Sequence, residues 1–488
     1  LKKHSVKKAG GNQARRLKNT HLEINHMNKE TVFFLLGIVM AAAGCTLAPQ
    51  YSRPAAPVPD KWEVRAADQA SHIQALKWRQ FYIDENLKQL IETALINNRD
   101  LRLSALSMER ARGLYGIQRA EILPAVNAVG IGGKQHEGAA ITEDGKSVTF
   151  EEYRADLRIS SWEIDFFGRI RSLKDQALEE YLATEAARNS AQIALISSVA
   201  QTYLTLAADR EALTIASSTL AAQQAAYDLM QQRYNVGVVS ELDLKRVQTQ
   251  VDSARGDIAR YKQQVALDVN ALGLLLGSQA QNSLLPSDLS SVAIPQEIFP
   301  GLNSEVLLSR PDILAAEHRL KGAYANIGAA RAVFFPRISL TTAIGTASSD
   351  LSGLFESGSG TWSFTPQVSL PIFDARTWSA LTVSKTDQQI ALTQYEKAIQ
   401  TAFKEVADSL AVLVTVEDQL AAQQSLFNAL SDSYRLSNER YARGVDSYLG
   451  VLDAQRSLYA AQQGLVGLRL AKLANMVNLY AVLGGGAE

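Results

Sequence analysis

The sequence predicts an α+β membrane protein made by tandem duplication, each copy joining two membrane-spanning strands to a very long helix. Three observations predict it. A glycine-centred turn is written twice, as RYNVGVVSELDLKRVQ from Arg233 and RYARGVDSYLGVLDAQ from Arg440. The stretch 170–236 that leads into the first turn contains neither glycine nor proline. Four segments elsewhere alternate apolar and polar residues, as strands with one oily face do.

The elements follow in order from the N-terminus. Residues 1–26 are basic and unpatterned and open on Leu1; Met27 is the expected start, with 1–26 an upstream extension. MNKETVFFLLGIVMAAAGC then gives Lys29, an apolar run from Val32 to Met40, small residues and Cys45. That is the layout of a secretory signal over 27–44, its apolar core short for a membrane span. Cys45 is the only cysteine, so no disulfide forms within the chain. A small-residue run closing on Gly44 and Cys45 resembles a bacterial lipoprotein signal, which makes Cys45 the expected site of covalent lipid. An idle thiol beyond an ordinary signal is the competing reading. Thr46, where Asp would favour the inner membrane, points to the outer one. Residues 45–77 then read as an acylated tether, proline-rich in APQYSRPAAPVPDKW, and more than one acyl chain makes such anchoring stable.

The duplication orders the rest. At a spacing of 212, Asp100 matches Asp312, Gly116 matches Gly328, Arg119 matches Arg331 and Pro124 matches Pro336. From Phe166 and Phe373 onward the spacing is 207, through Arg169 and Arg376, Val199 and Val406, Tyr234 and Tyr441, to Gly277 and Gly484. The first copy is therefore longer, all of it between Pro124 and Phe166. Repeat 1 occupies 78–277 and repeat 2 occupies 304–486, with 278–303 as the linker. Each reads helix, two strands, very long helix, turn, helix.

The strands are AVNAVGIGG (125–133), YRADLRISSW (153–162), ISLTTAIG (338–345) and WSFTPQVSLPI (362–372). Tyr153, Leu157 and Ile159 share one face of theirs; Ile338 and Leu340, and Trp362, Phe364 and Val368, do the same. These eight are the expected lipid-facing residues, on strands of membrane-spanning length. A soluble sandwich edge is the bland alternative. Two hairpins cannot close on themselves, and open edges are forbidden in lipid, so in a membrane several chains must close one barrel.

The long helices carry an apolar residue every seven positions: Val199, Leu206, Leu213, Leu220, Tyr227, Tyr234, and again Val406, Leu413, Leu420, Phe427, Tyr434, Tyr441. A sustained seven-residue period means side-by-side packing as in a coiled coil. Nothing suggests an enzyme. Beyond the signal only His72, His136 and His318 occur, without metal spacing, and GIGG (130–133) lacks a phosphate loop's lysine. No cofactor or metal is expected, and 49 basic against 50 acidic residues leave no nucleic-acid footprint.

WEIDFFGR (162–169), LSRPDILAAEH (308–318), GAARAVFFP (328–336), YEKAIQTAFKEVAD (395–408) and LYAVLGGG (479–486) resemble the TolC-like outer-membrane efflux channels, specifically their lipidated OprM-like branch. The resemblance implies a homotrimer whose four strands per chain make one twelve-stranded barrel, continued by a long α-helical periplasmic barrel. It places 278–303 in a belt around the helices. It implies a periplasmic adaptor and a proton-driven inner-membrane pump of the resistance-nodulation-division class as partners. The two turns become hairpin tips for adaptor docking, marked by Gly237, Ser240, Gly444 and Ser447. Leu449 and Asp453 take the family's apolar and aspartate gate positions, where the first copy has Leu242 and Arg246. An ordinary exposed Asp beside Arg443 or Arg456 is the competing reading of Asp453. The expected function is a passive conduit for small toxic compounds such as drugs, dyes and detergents. Metal-ion export or type I protein secretion is the alternative, and a structural coiled-coil lipoprotein the remote one.

Overall fold

The computed structural model describes residues 46–62, 77–143, 145–293, 295 and 303–485. The signal segment, Cys45 and part of the linker lie outside the described residues. The chain divides into two compact units. One contains Gly116–Gln176 and Tyr324–Lys385 with the chain up to Gln50; the other contains Tyr51–Tyr115, Ala177–Ala323 and Thr386 onward.

The first unit is built on an antiparallel sheet in the order β1 (Val126–Glu137), β2 (Val148–Glu163), β3 (Arg337–Ser348), β4 (Gly360–Ser369). All four strands differ from their expected bounds, β3 extending beyond the expected 338–345 at both ends. β1 and β2 run closer to their connection than expected, leaving only 138–147 between them. Side-chain pairs hold that extension where alternation fades: Lys134 with Glu151, and His136 Nδ1 with Thr149 Oγ1 at 2.9 Å. β4 stops at Ser369 rather than 372, just before Pro371, which has no N–H to give a ladder. β2 is interrupted once. Ile159 lies opposite Thr342 but Trp162 lies opposite Leu340, so one extra residue is accommodated. Ser161 has φ 54, the only positive value on a non-glycine among the described residues, and its N–H donates to Thr341 Oγ1 at 3.3 Å. The bulge turns Trp162 onto the face of Leu157 and Ile159, which uninterrupted alternation would deny it.

After the single helical turn Trp78–Phe81, the longer helices among the described residues are α1 (Glu85–Asn97), α2 (Arg99–Ala120), α3 (Arg169–Asn235), α4 (Glu241–Leu276), α5 (Pro311–Ala332), α6 (Ala375–Ala442) and α7 (Tyr448–Val482). α3 and α6 contain 67 and 68 residues without glycine or proline, so nothing breaks the backbone ladder. At 1.5 Å per residue, each runs roughly 100 Å. α3 and α7 contain stretches apolar enough to cross a membrane, yet 56% and 50% of those stretches are buried within the protein. They are packing helices.

In the second unit the core gathers where α1 meets the long helices. Phe81 stacks on Tyr480 with ring centroids 4.1 Å apart, and Leu90, Ile91, Val199, Tyr203 and Leu206 are buried. Asn98, between α1 and α2, accepts from Leu101 N and donates to Leu275 O, capping one helix while tying it to the end of α4. Burial fades along the seven-residue seam. Val199, Leu206 and Val406 are fully covered, Leu213, Leu220, Tyr227, Leu413, Leu420, Phe427, Tyr434 and Tyr441 are half-buried, and Tyr234 is exposed. A straight helix drifts about 20° per heptad against such a repeat.

Candidate functional site

All eight residues expected to face lipid lie on one face of the sheet. Leu157 stands opposite Ile344, which stands opposite Trp362; Thr342 joins Ile159 to Phe364; Ile338 faces Val368, and Leu340 faces Trp162. Tyr153 lies between Gly132 and Ser348, its ring covering the glycine. Trp362 is 79% exposed and Leu157 53%. So apolar a face in water would forfeit about 25 cal/mol for every Å² left uncovered. The opposite face carries charge in pairs. Asp156 is buried and takes Arg158 at 2.9 Å, and Arg154 holds Glu152 at 2.6 Å. At the foot of β2, buried Glu163 receives Arg169 at 2.8 Å and Arg337 at 2.7 Å.

The two turns are the same device. Gly237 has φ 76 and Gly444 φ 73. Gly237 N donates to Tyr234 O and Val238 N to Arg233 O; Gly444 N donates to Tyr441 O and Val445 N to Arg440 O. Each is a paired closure of the last helical turn that needs a left-handed residue, which glycine supplies without a Cβ clash. Ser240 and Ser447 then start the returning helices, Ser240 accepting from Asp243 N. Beyond this the tips differ. Arg440 holds Asp446 across the second turn, Nη2 to Oδ1 at 3.0 Å, whereas the first copy has Val239 in place of Asp446.

The hairpins meet each other near these turns. Met230, Leu244, Val247 and Leu452 form a buried cluster flanked by Tyr227 and Tyr448. Arg233 Nη1 donates to the Tyr441 hydroxyl, with its guanidinium 5.3 Å from that ring's centre. Leu449 and Asp453 lie four residues apart in the first turns of α7. Leu449 is 45% exposed, and Asp453 Oδ1 takes Arg456 at 2.9 Å while remaining mostly in solvent.

Cys45 lies outside the described residues, but the strap that follows it is well fastened. Arg331 Nη1 donates to Leu47 O at 3.0 Å, and a side chain on Gly328 would come within 2.8 Å of Ala48. In the other unit, Glu317, adjacent to His318 on α5, receives Tyr51 and Arg53, and Trp62 stacks on Phe403 at 5.2 Å. Burial pushes the Glu317 carboxyl up, but bonds from Arg53, Tyr51 and Lys321 outweigh it and hold it below the usual range. His318 instead meets Glu179 at 2.6 Å. Two carboxyls were not legible in the sequence at all. Asp209 on α3 and Asp268 on α4 share a partly buried site, where burial and then the bond and charge of Asp209 push Asp268 up to about 7. Asp209 is raised as well, by burial. Asp268 Oδ2 is buried without a hydrogen-bond partner. Among the described residues no group of three or more His, Cys, Asp or Glu could hold a metal.

A four-stranded sheet with one oily face, joined to paired helices of this length, defines an outer-membrane channel. The chain belongs to the outer membrane efflux protein family, whose model matches residues 90–278 and 302–485. It is 47% identical over 462 residues to the toluene efflux pump outer membrane protein TtgC of Pseudomonas putida, covering 93% of this chain and 94% of that one. A membrane protein from Pseudomonas aeruginosa superposes with a TM-score of 0.85 at 40% identity, covering 91% of this chain and 98% of that one. The open-state MtrE outer membrane channel of Neisseria gonorrhoeae gives 0.83 at 35% identity, covering 91% and 99%. The fold class expected from the sequence, a trimeric barrel continued by helices, is that of these channels. The chain is the outer-membrane channel of an efflux pump, and its family and fold are those of a conduit.

Proposed function

We propose that this chain is the lipid-anchored, homotrimeric duct of a tripartite pump that expels small toxic molecules across the outer membrane. A periplasmic adaptor hands them over from an inner-membrane pump of the resistance-nodulation-division class. The observation that carries the reading is the pairing of an exposed apolar sheet face with two identically closed helical turns in one chain. Lipid covers the first; adaptor hairpins fit the second at Gly237, Ser240, Gly444 and Ser447. The half-buried lower seam of α3 and α6 supports neighbours from other copies. Arg331, bonded two residues past Cys45, supports an acyl group held beside the start of β3. Leu449 and Asp453 form the gate: three copies bring three carboxylates together, attracting cations and repelling anions. The toluene pump named for a relative supports small apolar cargo, with substrate choice made by the inner pump.

Photocrosslinking from Ser447 in cells, with the captured partner identified by mass spectrometry, tests this. Capture of an adaptor of a proton-driven pump is expected. An adaptor of an ATP-driven secretion system would overturn the cargo in favour of protein, and no periplasmic capture would overturn the docking role.

A further inference from the structure

The strap that follows Cys45 begins beside a cavity of the first unit. Arg331 holds the Leu47 carbonyl at 3.0 Å, and Ala48 lies where a side chain on Gly328 would clash. From Ala48 to Leu47 the strap therefore advances along α5 from Gly328 to Arg331. The next residue, Ala332, ends α5 and lines a cavity of about 380 Å³ between the foot of β2 and the start of β3, within the size of ordinary ligand pockets.

Phe166, Phe167, Val333, Phe335 and Ile338 form much of its wall. Phe167 stacks on Phe335 at 4.9 Å, yet Phe335 and Val333 remain 40% and 43% exposed. The charges in the wall pair with one another or with a neighbour. Glu163 takes Arg169 at 2.8 Å and Arg337 at 2.7 Å, and Asp165 takes Arg171 at 3.3 Å. An ionic ligand would have to break these pairs or be buried without a partner, and both are costly. An apolar chain leaves them intact and covers the rings. The cavity has no twin in the other repeat. Phe373 and Arg376 repeat Phe166 and Arg169, but Phe167 and Phe335 have Asp374 and Leu123 as counterparts, which cannot stack. Gly116, the counterpart of Gly328, would meet nothing within 4 Å if it carried a Cβ. The groove that takes the strap and the aromatic cavity occur together, in the one repeat that the strap reaches.

We infer that an acyl chain carried by Cys45 lies in this cavity, against Phe167 and Phe335, rather than in the bilayer. The inference rests on the lipid-anchored reading above and adds where that lipid sits. Cys45 is two residues from Leu47, so at most about 7 Å from it along the chain, and a fatty acyl chain spans what remains. The hydrophobic effect does not choose between cavity and bilayer, because lipid tails are equally apolar. The tether does. With Leu47 held by Arg331, the acyl chain is at high effective concentration beside the cavity, where it adds close contacts to two aromatic rings. The acyl group then packs the joint where β2, β3 and the first turn of α3 meet.

A diazirine-bearing fatty acid fed to cells tests this in the full-length chain. Light joins the label to whatever it touches, and tryptic peptides from outer membranes are read by mass spectrometry. The Cys45 lipopeptide is expected to be joined to 159–169 or 332–337, the peptides that contain Phe167 and Phe335. Val333→Trp, which adds bulk to a partly exposed wall position, should lose most of that product while Cys45 stays labelled. Labelled Cys45 joined only to membrane lipid, labelled phospholipid joined to 332–337 in its place, or a product unmoved by Val333→Trp overturns the seat and leaves the anchor standing. Cys45 without label overturns the lipid anchor and the inference with it.

Discussion

Replacing Glu317 by alanine tests how the N-terminal strap is held. The residue is 2% exposed, and its carboxylate receives the Tyr51 hydroxyl at 3.0 Å, Arg53 Nε at 3.1 Å and Nη2 at 2.7 Å, and Lys321 Nζ at 3.2 Å. Bonds to a charged group contribute about 1.5–3 kcal/mol each. The Arg53 and Lys321 side chains are 47% and 29% exposed, however, so water takes over their donors when the carboxylate is lost. Discounted for that solvation, the change should cost roughly 2–3 kcal/mol of strap closure. The strap would then open about 30 to 150 times more often, since 1.36 kcal/mol is tenfold. Brief chymotrypsin digestion measures it, because cleavage after Tyr51 needs that tyrosine released and follows the open population. Glu317→Gln, keeping one acceptor, should show a smaller effect. The acid limb follows from the depressed Glu317 carboxyl. Its contribution is complete above the unfolded value of about 4.3 and is lost as pH falls through the lower folded one. Pepsin digestion should therefore find the wild-type strap approaching the variant's behaviour in strong acid. Unchanged cleavage after Tyr51, or an equal rise at distant sites, would refute the clamp.

Asp268→Asn should stabilise the helical unit at alkaline pH. With a folded value raised to about 7, the native carboxyl gives up stability as pH climbs from about 4 to 7, and the amide removes that slope; melting followed by circular dichroism between pH 5 and 8 checks it, and parallel curves would count against the raised Asp268 carboxyl. Gly444→Ala should cost about 1–2 kcal/mol because φ is 73 there. Gly467→Ala, in the interior of α7 with open space around a new methyl, should gain about 0.5–1 kcal/mol. Thermal melting of both variants side by side would show the opposite signs. Asp453→Ala should weaken cation selectivity or raise the resting conductance of the purified channel. Single-channel recording with unchanged selectivity and conductance would remove Asp453 from the gate.

Much of this fold was legible because it is periodic. The 207 spacing paired Gly237 with Gly444 and the 212 spacing Gly116 with Gly328, and alternation alone put Leu157 and Ile159, and Trp362 and Phe364, each on one face of their strand. Strand ends were less legible. The extension of β1 and β2 depends on Lys134 finding Glu151 across a hairpin, a pairing no local pattern announces. The sites divide the same way. The tips were legible because each is closed by residues adjacent in sequence. The Tyr51–Arg53–Glu317 clamp joins positions more than 260 apart, a contact that the sequence around neither end announces. The contrast of Asp446 with Val239 was available in the repeat and marks where the copies diverge.

The order of residues alone determined the duplication, the unbroken helices, the closed turns and the oily strand face, since each arises from contacts within a few positions or from a fixed period. Tertiary packing determined the rest. It set Trp162 on the apolar face of the sheet through a bulge at Ser161, gave Glu317 to the strap and His318 to Glu179, and brought Asp209 and Asp268 together in a partly buried site that raises both carboxyls. Those outcomes depend on which distant side chains are brought within about 3 Å of one another, where hydrogen bonds and charge pairs act, and distance in space is not a local property of the chain.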